Sequence, residues 1–268
     1  MHSAGPMCRW ASDLEPMLRV LAGSNFSKLD WRSEKIDFSK LRLFYMEGMR
    51  SPFITPLSGD MKRALIKAVK YFEERFGMIG TRLDLNLMHW ALPIYMNDID
   101  TPGAPRFSLQ MADGKEPEVK VLQELAKWTV GQSQHTFPAL ALAILEMGLE
   151  KAESDENRAM LVEKREKLTK QFQELLGENG VFFFPSQPTA PLFHSQPVFQ
   201  PFNFVYTAIF NSLGLPVTQV PLGLNKNDVP VGIQVVSNLH RDQLGIAVAK
   251  ELEWAFGGWV KPRSHPHT

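Results

Sequence analysis

The residue types able to do covalent or metal chemistry are few in this sequence and poorly spaced for it. Cys8 is the only cysteine, which excludes an intrachain disulfide and a cysteine-based zinc site. No histidine motif accompanies it, so it is not read as a nucleophile. Of the seven histidines, only His265 and His267 have ligand-like spacing, and "SHPHT" reads as a chain-end tail rather than a metal site. His89 and His135 stand alone and read as histidines satisfied within the fold. Neither a metal nor a cofactor is expected. Lys+Arg and Asp+Glu each total 29, so no net field draws nucleic acid, and none is expected as a partner.

The elements that must position any site read as an α/β layer. "SGDMKRALIKAVKYFEERFG" places Met61, Ala64, Leu65, Ala68, Val69, Phe72 and Phe76 at helical spacing and stops at Gly77. A strand is expected before it at 41–46 and a short one after it at 79–83. Ser12 with Glu15 fits a capping box for a helix that stops at Gly23. Residues 97–118 are rich in turn and breaker residues and read as a loop, followed by helices through "VKVLQELAKW" and "FPALALAILEMGLEK". A charged helix is expected over 151–176, then a buried strand at 181–184 and an irregular Pro-rich connection over 185–201. "FNFVYTAIFNSLG" predicts a helix ending at Gly214. "VTQVP" and "VGIQVVS" predict two strands joined by a hairpin loop rich in Asn and Asp, and a final helix runs from Arg241 to Gly257. The longest apolar run, "FPALALAIL", is far shorter than the ~20 residues of a membrane span. The first residues lack the basic and apolar regions of a secretory signal. The cytoplasm, or the surface of a membrane, is therefore the expected location.

Several stretches in fixed order carry a family likeness: "GPMCRWASDLEPMLRVLAG" (5–23), "GENGVFFFPSQPTAP" (177–191), "PFNFVYTAIFNSLGLPVTQVPLGLNKNDVPVGIQVVS" (201–237) and "FGGWVKP" (256–262). Together they resemble the amidase-signature family, and within it the fatty-acid amide hydrolase 2 group. The resemblance implies a mixed β-sheet flanked by helices, formed by 1–268 as a single partial domain, with a helical excursion over 84–150. It also implies hydrolysis of lipid amides by a serine nucleophile, a bridging serine beside a cis peptide and a lysine base. An amide carbon is a poor electrophile, so the hydroxyl needs a neighbouring base and the oxyanion needs backbone N–H donors.

In the family, the Gly/Ser-rich loop and the lysine precede the G-P-M segment. Here only "HSAG" and "AGSN" come near such a loop, and neither pairs serines within a glycine cluster. No catalytic residue is therefore assigned. The chain is expected to be the C-terminal portion of a fatty-acid amide hydrolase-like enzyme, inactive as it stands. The alternatives are a non-catalytic protein that binds acyl chains or an amidase partner, and a fragment with no independent function. Register on Y-T-x-x-x-N points to Phe204 and Ala208 as substrate-binding residues, and register on the I-Q strand points to Leu239 and His240. Their ligand would be a lipid amide or a fatty acid. Trp90, Trp128, Phe137, Leu140 and Ile144 are the residues expected to face a membrane in a peripheral contact. The competing expectation is that this apolar face packs on the core or on a second copy in a homodimer. Gly180 stands where many amidases carry an acidic residue, which suits a substrate with little polar character.

Overall fold

The computed structural model describes residues 5–29, 31, 35–99, 105–152 and 154–261. His265, His267 and all of "HSAG" except Gly5 lie outside them. The described chain divides into two compact units, 1–95 with 164–268 and 96–163.

The first unit is built on a five-stranded sheet of order β2-β1-β3-β5-β4. Its strands are β1 (Arg42–Tyr45), β2 (Gly80–Arg82), β3 (Gly180–Pro185), β4 (Val217–Leu224) and β5 (Pro230–Ser237). β1 runs parallel to both β2 and β3, whereas β5 is antiparallel to β3 and β4. The sheet is therefore mixed, as expected. All six β3 residues are buried, because the strand is covered on both faces. On one face Val181 and Phe183 meet α2 (Gly59–Phe76) and α9 (Asp242–Phe256) through Leu65, Phe72, Val248 and Leu252. On the other, Phe182 and Phe184 pack edge-on against Phe172 of α7 (Asp155–Leu176) and Phe210 of α8 (Val205–Leu213). The alternation of one strand's side chains thus joins two helical layers.

Local chemistry sets the ends of these elements. The Ser58 hydroxyl accepts from the Met61 N–H at the start of α2, and Gly77 closes the helix in the left-handed region at φ 68°. Gly214 and Gly257 end α8 and α9 in the same way. In the β4–β5 hairpin the Asn225 side chain accepts from the N–H groups of Asn227 and Val229 at 2.9 and 3.1 Å, the turn role of asparagine.

Two local expectations fail. Ser12 does not cap α1 (Leu14–Ala22). A 3₁₀ turn precedes the helix, Asp13 is the capping residue, and the Ser12 hydroxyl donates to Asp13 instead. The stretch read as loop also hides structure: α3 (Ala91–Ile99) runs into it and α4 (Phe107–Gln110) forms within it. Pro93 sits in the first turn of α3, where its missing N–H has no intrahelical partner to lose.

The second unit comprises the end of α3, α4, α5 (Val121–Thr129) and α6 (Phe137–Ala152). Val121, Leu140 and Ala143 form its small core, with Phe107, Met111 and Leu125 against it. The Glu146 carboxylate accepts from the Phe107 N–H at 2.9 Å and ties α4 to α6. The unit overlaps the expected excursion but starts later and takes in the beginning of α7. No helix among the described residues is long and apolar enough to cross a membrane.

One contact between α2 and α9 gives a pH prediction. The Tyr71 hydroxyl donates to Glu251 at 2.5 Å. Burial, then this carboxylate, pushes the phenol up to about 12, against about 10 in an unfolded chain. A raised folded value means the stabilisation is complete below about pH 10 and is lost as pH rises through that window. Tyr71→Phe should therefore flatten the alkaline fall in melting temperature. Equal slopes for both proteins would contradict this coupling.

Candidate functional site

In open α/β sheets, ligands bind beyond the carboxyl ends of the parallel strands. Here the chain leaving β1, β2 and β3 lines two clefts. The first, of about 550 Å³, lies past β3 and is lined by the Pro-rich connection, the entry to α8 and the β4–β5 pair. Its walls include Pro191, Leu192, Phe204, Pro221 and Val231. The second, of about 460 Å³, lies past β1 and β2 and is far more polar in its residues, with Glu47, Arg50, Arg82, Asp84 and His89 among them.

The entry to α8 contributes to both clefts, with Asn203 and Phe204 in the first and Tyr206 in the second. Buried amides fix its position. Asn203 accepts from the Thr55 N–H at 3.0 Å and donates to the Thr55 hydroxyl and Gln200. Gln234 of β5, 2% exposed, donates to the carbonyls of Pro185 at 2.8 Å and Tyr206 at 2.9 Å. One side chain thereby clamps the exit of β3 to α8. The Tyr206 hydroxyl, its pKa pushed up by burial, accepts from the Met49 N–H at 3.4 Å. Gly48 makes room for that hydroxyl: a Cβ there would stand 2.7 Å from it, and its φ is 137°.

His89 is a satisfied histidine, as expected. Its Nδ1 accepts from the Arg50 N–H at 2.9 Å, and Nε2 lies 3.0 Å from Asp84. Arg50 pairs with Asp84 at 2.5 Å, and Glu47 holds Lys62 and Arg82 at 2.6 and 3.3 Å. Two carboxylates are thus paired with three cations. Among the described residues no cluster of His, Cys, Asp and Glu has the arrangement of a metal site.

The four expected substrate residues are not brought together. Phe204, 36% exposed, stands in the wall of the first cleft and against Tyr95 at 5.5 Å between ring centroids. Ala208, one turn further along α8, is buried in the core. Leu239 and His240 follow the far end of β5, the full length of an eight-residue strand from the cleft lining at Pro230. That is roughly 25 Å of extended chain. Both are exposed, and His240 occupies the left-handed region at φ 63°.

The five aromatic and aliphatic candidates also separate. Trp90 belongs to the first unit, where Lys164 lies 4.1 Å above its ring. The other four belong to the second unit. Trp128 and Phe137 form an exposed pair with ring centroids 5.0 Å apart, and Ile144 is exposed as well. Leu140 is the correction: it is fully buried with Val121 and Ala143, so it faces the unit's own core.

Gly180 receives a steric explanation in place of one from substrate polarity. A Cβ there would lie 2.6 Å from Leu176 Cα and 2.8 Å from its carbonyl carbon. Sequence reasoning passed over Gln234 and Asn203, although a glutamine inside the apolar run "VGIQVVS" signals a buried amide that needs partners.

The amidase family model matches residues 1–244. The chain belongs to the amidase family. Fatty-acid amide hydrolase 2 of Homo sapiens is 38% identical over 271 aligned residues, covering 96% of this amidase chain and 49% of that protein. Fatty-acid amide hydrolase 2-A of Danio rerio is also 38% identical, covering 96% of the chain and 48% of the relative. The chain thus spans about half the length of the curated relatives it matches. Solved structures share the fold. A glutamyl-tRNA(Gln) amidotransferase structure from Thermotoga maritima superposes with TM-score 0.62 at 18% identity, covering 93% of this chain and 52% of the amidotransferase chain. A fatty acid amide hydrolase structure does so with TM-score 0.58 at 18% identity, covering 94% and 48%. The amidase-family sheet is thus the scaffold on which both clefts are built.

Proposed function

We propose that this amidase-family chain is the C-terminal portion of a fatty-acid amide hydrolase-like serine amidase, whose complete form cleaves lipid amides to fatty acid and amine. The observation that carries the reading is the 38% identity to fatty-acid amide hydrolase 2 across 96% of the chain. Alone, the chain does not hydrolyse amides, because its sequence supplies neither a paired-serine glycine loop nor the lysine that would activate it. It contributes scaffold and the apolar wall of the first cleft, with Phe204 in that wall.

Exposed apolar side chains are consistent with a role within a larger fold: α1 buries none of its residues, and Val20, Leu21 and Trp254 are 81%, 59% and 71% exposed. The exposed Trp128, Phe137 and Ile144 of the second unit suit peripheral contact with a membrane, the source of a lipid amide.

The test is covalent labelling with a serine-directed fluorophosphonate, read by intact mass. The purified chain should gain no adduct, and an adduct at one of its serines would overturn the reading. The alternative, a non-catalytic acyl-chain or amidase-partner binder, is favoured by a cleft formed wholly within this chain. Saturable acyl binding by the unlabelled chain, with no gain of hydrolysis when the rest of an amidase fold is supplied, would establish it.

A further inference from the structure

The first cleft has a polar floor that no part of the reading above uses. Ser186, just past β3, donates its hydroxyl proton to the side-chain carbonyl of Gln219 on β4. β5 lies between those strands, so the two residues sit two strand spacings apart, roughly 10 Å. The gap is bridged because Gln219 reaches across β5 over Gly232. A Cβ at Gly232 would stand 2.8 Å from Gln219 Nε2. Strand alternation places Ser186, Gly232 and Gln219 on one face, the face from which Gln234 meets α8.

The bridge leaves a defined pair of functions open. With the Gln219 carbonyl accepting from Ser186, its –NH₂ group donates to no protein acceptor among the described residues. The Ser186 oxygen keeps lone pairs as an acceptor. A carboxamide requires the same complement, a donor for its C=O and an acceptor for its N–H. No residue lining the cleft carries a charge, so nothing there compensates a carboxylate, and desolvating an unpaired carboxylate is costly. The remaining walls are largely apolar, and about 550 Å³ lies within the ~300–1,000 Å³ of small-molecule sites.

We propose that the Gln219–Ser186 bridge across Gly232 reads the uncharged carboxamide of an acyl amide, whose hydrocarbon chain lies along Phe204 and Leu192, and discriminates against the free fatty acid. The inference rests on the lipid-amidase reading and deepens it: the cleft holds the substrate form and releases the ionised acid. Gln219 acts as a specificity residue and takes no part in bond cleavage.

The experiment titrates the full chain with oleamide and with oleate, at alkaline pH where the acid is ionised, by calorimetry. Oleamide should bind about tenfold more tightly, the effect of roughly one well-placed hydrogen bond and an avoided desolvation. Gln219→Leu should bring the two affinities within about twofold by removing the donor, with the melting temperature unchanged because the residue is exposed. Gln219→Lys, which supplies a cation, should reverse the preference. Equal affinities in the unaltered chain, an unchanged ratio in Gln219→Leu, or no binding of either probe would each overturn the proposal. None of these outcomes alters the labelling result, so failure here is separable from failure of the lipid-amidase reading.

Discussion

Gly180→Asp should cost the fold about 3 kcal/mol or more. The residue is buried where β3 leaves the end of α7, and any Cβ meets the Leu176 backbone, with Cα at 2.6 Å. Backbone at a helix end cannot turn aside as a flexible side-chain tip can, so the sheet and helix must separate. An aspartate adds a buried carboxylate, and the nearby guanidinium, that of Arg42 opposite on β1, is already engaged by the Leu176 carbonyl at 3.0 Å. The change should appear as a lower urea midpoint and a fall in melting temperature of roughly 6–12 °C. Gly180→Ala separates the two contributions, since it keeps the collision and omits the charge, and should lose about 1–3 kcal/mol. A midpoint for Gly180→Asp within experimental error of the unaltered chain would show that the contact relaxes freely. It would then restore substrate polarity as the reason for glycine at this position.

Gln234→Leu should have a smaller effect through a different cause. The volume is nearly kept, so the loss comes from two buried carbonyls, those of Pro185 and Tyr206, whose donors disappear. The Tyr206 carbonyl keeps its place in the α8 ladder, so each lost hydrogen bond costs about 0.5–1.5 kcal/mol, roughly 1–3 kcal/mol for the two. The damage should be directional. Pro185 lies at the mouth of the first cleft beside Ser186, and Tyr206 lines the second. Hydrogen exchange should therefore accelerate in β3 and in the first turn of α8 while the α5–α6 hairpin is unchanged. Uniform acceleration across both units, or none, would contradict the clamp.

Much of the fold was legible because its signals are local. The helical spacing from Met61 to Phe76, the apolar run at Val181 and the asparagine-rich hairpin each specify their own conformation within a few residues. What stayed hidden is set at a distance. α6 is apolar nearly all round, so its sequence gives no indication that Leu140 faces inward while Ile144 faces out. The separation of Phe204 from Leu239 and His240 follows from strand direction, because β5 carries the chain away from the cleft before those residues appear. The Gln219–Ser186 bridge joins residues 33 apart in sequence, and Gly232 makes it possible by lacking a side chain. Gly180 stands out in sequence by its difference from related chains, but only its neighbour in space supplies the reason.

We infer that these 268 residues carry amidase scaffold and a ligand wall but not the serine nucleophile. The most direct test is co-expression of the chain with the N-terminal half of a fatty-acid amide hydrolase 2 relative. The purified material is then treated with a fluorophosphonate, and the mass of each polypeptide is read. The added half should gain the adduct and this chain none, with oleamide hydrolysis only when both are present. An adduct on this chain, or hydrolysis by this chain alone, would contradict it.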